Sequence, residues 1–184
     1  MLLDWQSGKI AVGISSCLLG EQVRYDGGHK YDPLINTELA RFFAFRPCCP
    51  EVAIGLGVPR EPIQLVQTEL GIRVRGVNNP ALDVTRMLED YGRRIAREFT
   101  DICGYIFKAH SPSCGLEGVA TRKEQDSHCE PVGTGAFAAA LLRNEPDLPV
   151  TDENRLRDPQ LREEFIENVF DWYRSRHAAP AETP

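Results

Sequence analysis

The sequence lacks both the long apolar runs of membrane proteins and the basic leader of exported ones. No stretch approaches the ~18 consecutive apolar residues that a transmembrane helix needs. The opening stretch MLLDWQSGKIAVGISSCLL has an acid and a Trp before its apolar part, and no basic segment. We therefore predict a cytoplasmic protein without a membrane span, whose cysteines are reduced thiols or metal ligands.

An excess of positive charge is also missing. The chain has 21 Lys and Arg against 27 Asp and Glu, a net charge of −6, which disfavours a broad nucleic-acid surface. No internal repeat or low-complexity segment is visible, and 42% apolar with 26% charged residues is typical of a globular protein. The 184 residues predict one domain over 8–176, with flexible termini at 1–7 and 177–184.

Strand and helix patterns alternate along the chain. This order predicts an α/β fold, in which a three-layer, Rossmann-like, mostly parallel sheet is flanked by helices and carries a small β-hairpin insertion. The predicted strands are Ile10–Ser15, Tyr105–Phe107 and Leu148–Val150; the hairpin is Gln64–Val74; the helices are TELARFFAF (37–45), Val84–Phe99, GTGAFAAALLRN and the segment after Asp158.

Three cysteines lie in loops that this fold brings together. Cys17 and Cys114 follow predicted strands, at the end where ligand sites of parallel sheets form, and Cys49 lies in a nearby proline-rich loop. The surrounding Pro and Gly residues hold these loops rigidly, as a ligand shell requires. Cys48 is an alternative to its neighbour, whereas Cys103 is typical of a core residue and Cys129 of an exposed loop thiol.

The number and spacing of these thiols favour one kind of metal site. The chain has no C-x-x-C pair, and three of its six cysteines lie in such loops, which disfavours a closed structural zinc site with four ligands. Three thiolates would also make zinc a poor Lewis acid. An iron–sulfur cubane fits better, and because such clusters normally take four thiolates, three would leave one iron open to a substrate atom.

Several motifs in combination resemble the thiouracil desulfidase family. They are S-S-C-L-L-G with R-Y-D-G-G-H-K, C-P-E with G-L-G-V-P-R-E-P, K-A-H-S-P-S-C-G, and G-x-G-x-F-A-A-A-L. The resemblance runs from about Gly8 to Arg176. The segment L-P-V-T-D-E-N-R-L-R-D-P-Q-L-R-E-E-F-I-E-N-V-F is similar to a version of this domain fused to a second domain, which is implied to remove sulfur from thiouridine in tRNA.

The resemblance implies both a cofactor and catalytic residues. It implies a 4Fe–4S cluster held by Cys17, Cys49 and Cys114 with one open iron, an acid at Glu51, and a hydroxyl at Ser111 with Ser113 second. The implied activity is non-redox, hydrolytic removal of sulfur from 4-thiouracil or 4-thiouridine, as base, nucleoside or tRNA residue, with release of hydrosulfide.

Other readings of the same residues stay open. Cys114 is also suited to a metal-free cysteine persulfide sulfurtransferase, and the chain as a whole to a non-catalytic nucleotide- or tRNA-binding module. Oligomeric state is not predicted. Secondary candidates for lining the pocket, stabilising a thiolate or moving a proton are Arg24, Asp26, His29, Lys108 and His110.

Overall fold

The computed structural model describes residues 8–124 and 129–177. In the described part, the strands are β1 (Ile10–Ser15), β2 (Phe43–Cys48), β3 (Ile63–Thr68), β4 (Gly71–Gly76), β5 (Tyr105–Phe107), β6 (Val119–Lys123), β7 (Cys129–Gly133) and β8 (Val150–Asp152); the α-helices are α1 (Pro33–Thr37), α2 (Pro50–Ala53), α3 (Thr85–Glu98), α4 (Ala136–Asn144) and α5 (Pro159–His177).

A parallel four-stranded sheet with the order β2-β1-β5-β8 forms the centre of the molecule. Its middle strand, β1, is buried on both faces, which explains its continuous run of apolar residues. Gly13 is needed there, because a Cβ at this position would lie 2.3 Å from Cδ2 of Tyr105 on the adjacent strand. The parallel sheet predicted from the sequence is therefore confirmed.

Helices cover both faces of this sheet. On one face, α1 and α5 contribute Ile35, Phe165 and Val169 to a core with the side chains of β1. On the other face, α3 and α4 contribute Ile95 and Phe137, which pack with the aromatic residues of β5. This arrangement gives the three predicted layers.

The predicted hairpin is present as β3 and β4, but it belongs to a second sheet. β3 also pairs in parallel with β6, and β6 pairs antiparallel with β7, giving the order β4-β3-β6-β7. This mixed sheet packs on the first turns of α3 and α4 through a separate core that includes Leu65, Val74 and Leu88. We predicted Cys129 in an exposed loop, and that prediction was wrong because Cys129 begins β7.

The prediction of a helix over residues 37–45 was also wrong. The helical turn is α1, and Asp32 caps its N-terminus by accepting a hydrogen bond from the Ile35 N–H at 3.2 Å. Residues 43–48 form β2, because pairing with β1 outweighs the local helical spacing of the apolar residues. Pro47 is tolerated because β2 is an edge strand.

The remaining helix predictions agree with the structure to within a few residues, and β8 begins two residues later than predicted. Residues 1–7 and 178–184, predicted to be flexible, lie outside the described residues, whereas His177 is still part of α5. Among the helices of the described chain, none combines the length and apolar character that crossing a bilayer requires.

Candidate active site

A pocket of about 430 Å³ opens at the carboxyl ends of β1, β2 and β5. All three strands run in the same direction, so the loops that follow them meet at one edge of the sheet. The sequence-predicted site residues Cys17, Cys49, Glu51, Ser111, Ser113 and Cys114 all line this pocket.

Cys17 lies in the 3₁₀ turn Ser16–Leu19 that directly follows β1. Its carbonyl accepts hydrogen bonds from the N–H groups of Gly20 and Lys30, which tie the turn to the following loop. Burial raises the pKa of its thiol to about 11, although the positive charges of Lys108 and Arg24 oppose this shift. The thiol of Cys17 therefore lies in the pocket wall close to two cations.

Cys49 and Cys48 lie at the end of β2 and have different surroundings. Cys49 precedes α2, and its Sγ donates to the Val23 carbonyl at 3.7 Å. Burial raises the pKa of its thiol. Cys48 also lines the pocket, but its Sγ lies 3.2 Å from the Tyr91 hydroxyl. We therefore place Cys49, rather than Cys48, with Cys17 and Cys114 as the candidate ligand set.

The loop that carries Cys114 is held by the start of α4. The N–H of Ala136 donates to the Pro112 carbonyl, and those of Phe137 and Ala138 donate to the Ser113 carbonyl. Gly135 permits this contact, because a Cβ there would lie 2.5 Å from the Ser113 carbonyl oxygen. The glycine pair before α4 thus fixes the backbone of Ser113 and of the residue that follows it.

Glu51, Ser113 and Ser111 form a chain of hydrogen bonds. The Ser113 hydroxyl donates to Glu51 Oε1 at 2.6 Å, and the Ser111 Oγ lies 3.0 Å from the Ser113 Oγ. Because the single hydroxyl proton of Ser113 points to the carboxylate, Ser111 is the donor in the second contact. Ser113 is buried, whereas Ser111 is half-exposed. Of these two serine hydroxyls, the Ser111 hydroxyl is therefore the one with solvent access.

Arg60 is the residue of this site that sequence analysis missed. Its Nε donates to Glu51 Oε2 at 2.8 Å, and only 4% of its side chain is exposed. It belongs to the G-L-G-V-P-R-E-P motif, which we used only as part of the family resemblance. The presence of an arginine among the glycines and prolines of this motif could have indicated a functional residue. Nothing in the sequence, however, paired Arg60 with Glu51.

A second buried ion pair, between Lys108 and Glu153, lies at the pocket wall next to β5. Lys108 Nζ contacts Glu153 Oε1 and donates to the Ala109 carbonyl at 2.9 Å. Glu153 Oε2 accepts from the Ala109 N–H at 2.8 Å. The predicted cation Lys108 is thus in place near Cys17, held by a carboxylate that sequence analysis did not select.

The other secondary candidates divide into two groups. Arg24 and His110 line the pocket, and the exposed His110 lies 3.3 Å from the Asn154 side chain through its Nε2. Asp26 and His29 are not among the lining residues. The His29 Nδ1 accepts the Tyr31 N–H at 3.1 Å, and Asp26 accepts the Gly28 N–H at 3.0 Å. Both side chains therefore stabilise the loop after Cys17 through local hydrogen bonds.

The remaining cysteines of the described chain are not part of the candidate ligand set. The five cysteines whose side chains are described, Cys17, Cys48, Cys49, Cys103 and Cys114, are free thiols. Cys103 is buried in the core, as predicted. Cys129 begins β7 rather than lying in a loop, and its side chain lies outside what the structure describes.

Comparisons with known proteins identify related sequences and a related structure. A family model described as 2-thiouracil desulfurase matches residues 12–153. The chain is 28% identical over 155 residues to the uncharacterised protein YbbK of Bacillus subtilis strain 168, covering 79% of this chain and 97% of that protein. It also matches a solved structure of the 4Fe–4S-dependent thiouracil desulfidase TudS, with a TM-score of 0.64 and 31% identity over 85% of this chain and 97% of the other. The chain therefore belongs to the 2-thiouracil desulfurase family.

Proposed function

We propose that this protein is an iron–sulfur-dependent desulfidase that hydrolyses the C–S bond of thiolated uracil and releases hydrosulfide. One observation carries the proposal: the thiols of Cys17, Cys49 and Cys114 line the same pocket as the carboxylate of Glu51. A soft donor set and a proton acceptor are the two components that such a reaction needs. The match to TudS, a 4Fe–4S-dependent enzyme, supports the choice of cofactor.

The donor set fits a 4Fe–4S cluster better than a single metal ion. Within residues 8–124 and 129–177, no three His, Cys, Asp or Glu side chains lie close enough together to hold one ion. In a cubane each thiolate binds a different iron, so the three sulfur atoms need not converge on a point. We propose Cys17, Cys49 and Cys114 as these ligands, with the fourth iron left without a protein thiolate.

Burial favours the protonated form of all three thiols when no metal is bound. It raises the pKa of all three thiols, and that of Cys114 lies well above the ordinary value. Without metal the thiols are therefore protonated at neutral pH, and iron binding must release their protons. When bound, a cluster with an open iron supplies a Lewis acid for the soft thiocarbonyl sulfur.

The polar residues beside the thiols are arranged to accept and transfer a proton. Replacing sulfur by oxygen requires water to lose a proton as its oxygen attacks the ring carbon. We assign Glu51 as the base, since each carboxylate oxygen has a lone pair beyond those used by Ser113 and Arg60. Ser111 orients the water or the base edge of the substrate, and Ser113 connects it to the carboxylate. The carbon gains oxygen as hydrosulfide leaves, without net oxidation or reduction.

The alternative of a metal-free persulfide sulfurtransferase is disfavoured by the environment of Cys114. Its side chain is only 4% exposed, and burial raises the pKa of the thiol. A sulfur-transferring cysteine must be accessible and readily deprotonated, which is the opposite environment. Its neighbours Ser113 and Glu51 also add no positive charge to stabilise a thiolate.

The decisive experiment is anaerobic reconstitution followed by an activity assay. Purified protein is loaded with iron and sulfide, and hydrosulfide release is measured from 2-thiouracil, 4-thiouracil, 4-thiouridine and thiolated tRNA. We expect a brown protein that acts on at least one of these compounds and a colourless, inactive protein after chelation. Activity that survives removal of iron would overturn the proposal in favour of cysteine persulfide chemistry. The choice among the four compounds identifies the sulfur position and the carrier.

A further inference from the structure

The Arg60 guanidinium makes more contacts than an ion pair requires. Besides Nε to Glu51 at 2.8 Å, its Nη1 donates to the Gly57 carbonyl at 2.9 Å and its Nη2 to the Val23 carbonyl at 2.8 Å. All three nitrogen atoms of the planar group therefore have an acceptor. The backbone N–H of Arg60 donates in addition to the Tyr25 carbonyl at 2.9 Å.

These acceptors come from a helix and two loops, and two of them, Glu51 and Val23, line the pocket. Glu51 is in α2 directly after Cys49, Gly57 is in the following loop, and residues 23–25 form the loop after Cys17. The Val23 carbonyl also accepts from the Cys49 thiol. Arg60 thus connects the carboxylate to the segments around two candidate cluster ligands.

The geometry constrains the carboxylate from two sides. Arg60 binds Oε2 of Glu51, while Ser113 binds Oε1. With both oxygen atoms held, rotation of the carboxylate about its terminal bond would break at least one hydrogen bond. The side chains of Arg60 and Glu51 are 4% and 13% exposed, so water cannot easily replace either partner.

A lysine could not reproduce this arrangement. The guanidinium presents its donors in a rigid planar fork, whereas the lysine ammonium is a point charge on a flexible chain. Three acceptors on three segments require the fork. The structure therefore depends on the shape of Arg60 and not only on its charge.

We propose that Arg60 is a positioning residue for desulfidation: it holds the Glu51 carboxylate in the orientation in which it acts on water, and it acts through Glu51 alone. This inference rests on the proposed function. Misplacement of a catalytic group by about 1 Å can lower a rate about 100-fold, so an orienting residue can matter without touching the substrate.

The test compares kcat and KM of iron-loaded variants. We expect Arg60→Met to lower kcat about 100-fold with KM changed less than about 3-fold, and Arg60→Lys to fall within about 3-fold of Arg60→Met. Measurements of iron content and circular dichroism on each variant check that the cluster site and the fold are retained. Arg73→Met is the matched control: its Nε donates to Asp83 at 2.9 Å, away from the pocket, and its kcat should be unchanged.

The double variant separates positioning from a general structural role. If Arg60 acts through Glu51, then Arg60→Met in a Glu51→Gln background lowers kcat no further than Glu51→Gln alone. If Arg60→Met does not fold, Arg60→Lys takes its place in the same cycle. Additive losses in an active enzyme, or full activity of Arg60→Lys, would overturn the inference and leave the proposed function standing. A wild-type enzyme without hydrosulfide release would overturn both.

Discussion

The two sheets of this protein differ in what the ends of their strands provide. β1, β2 and β5 of the parallel sheet each end at the pocket, and the loops that follow them carry the candidate ligands and Glu51. The mixed sheet contributes mainly Pro62 and Ile63 at the beginning of β3. Parallel strands gather their following loops at one edge, whereas antiparallel neighbours send alternate loops to opposite edges. Chemistry and stability should therefore be separable by mutation.

The largest effect is expected where the parallel sheet supplies sulfur. Cys17→Ser, Cys49→Ser and Cys114→Ser should each lose bound iron and abolish hydrosulfide release, because a hydroxyl is a poor replacement for a soft thiolate. Iron content and visible absorbance after anaerobic reconstitution measure this. Cys48→Ala and Cys103→Ala are the matched controls and should keep their iron. If Cys48→Ala lost its iron while Cys49→Ser kept it, Cys48 and not Cys49 would be the cluster ligand.

The next largest effect is expected at the carboxylate. Glu51→Gln should retain the brown colour and iron content but lower kcat by about 100- to 10,000-fold, the range for loss of a general base. The amide oxygen can still accept from Ser113, whereas the amide NH2 group cannot accept from Arg60. Steady-state kinetics on the preferred thiolated substrate provide the measurement. Full activity of this variant would remove Glu51 from the mechanism and leave the pocket without an assigned base.

A stability effect without a catalytic one is expected in the mixed sheet. Leu65 is fully buried at the centre of β3 and does not line the pocket. Leu65→Ala should lower the free energy of unfolding by about 2–5 kcal/mol through lost apolar contact and a cavity. Denaturant titration measures the loss, and kcat per bound iron should stay within about 2-fold of wild type. A large fall in the iron content of the folded variant would show that the mixed sheet also supports the cluster site, so that chemistry and stability are not separable by mutation.

The smallest effect is expected at the tip of the hairpin. Leu70 is 93% exposed between β3 and β4. Leu70→Ser should change the free energy of unfolding by no more than about 0.5 kcal/mol and leave kcat unaltered. The same denaturant titration and kinetic assay apply. A marked loss of activity on thiolated tRNA, with free thiouracil still processed, would instead assign the hairpin to contact with a large substrate.

How far the sequence predicted the fold depended on how local each signal was. Strand β1 was predicted from its continuous run of apolar residues, and helix α3 from apolar residues that repeat at helical spacing. Strand β2 was not, because Phe42 and Phe43 also fit a helical face and Pro47 disfavours a strand. Its identity depends on pairing with β1, a contact between residues about 30 positions apart.

For the candidate site, the sequence by itself determined the chemistry that is available: three thiols in rigid loops, a carboxylate two residues after one of them, and two serines in a turn. The tertiary structure decided which groups meet. It separated Cys48 from Cys49 by turning one thiol to Tyr91, and it paired Glu51 with Arg60. Residue types and loop rigidity are local properties, whereas hydrogen-bond partners across a pocket depend on the registration of strands distant in sequence.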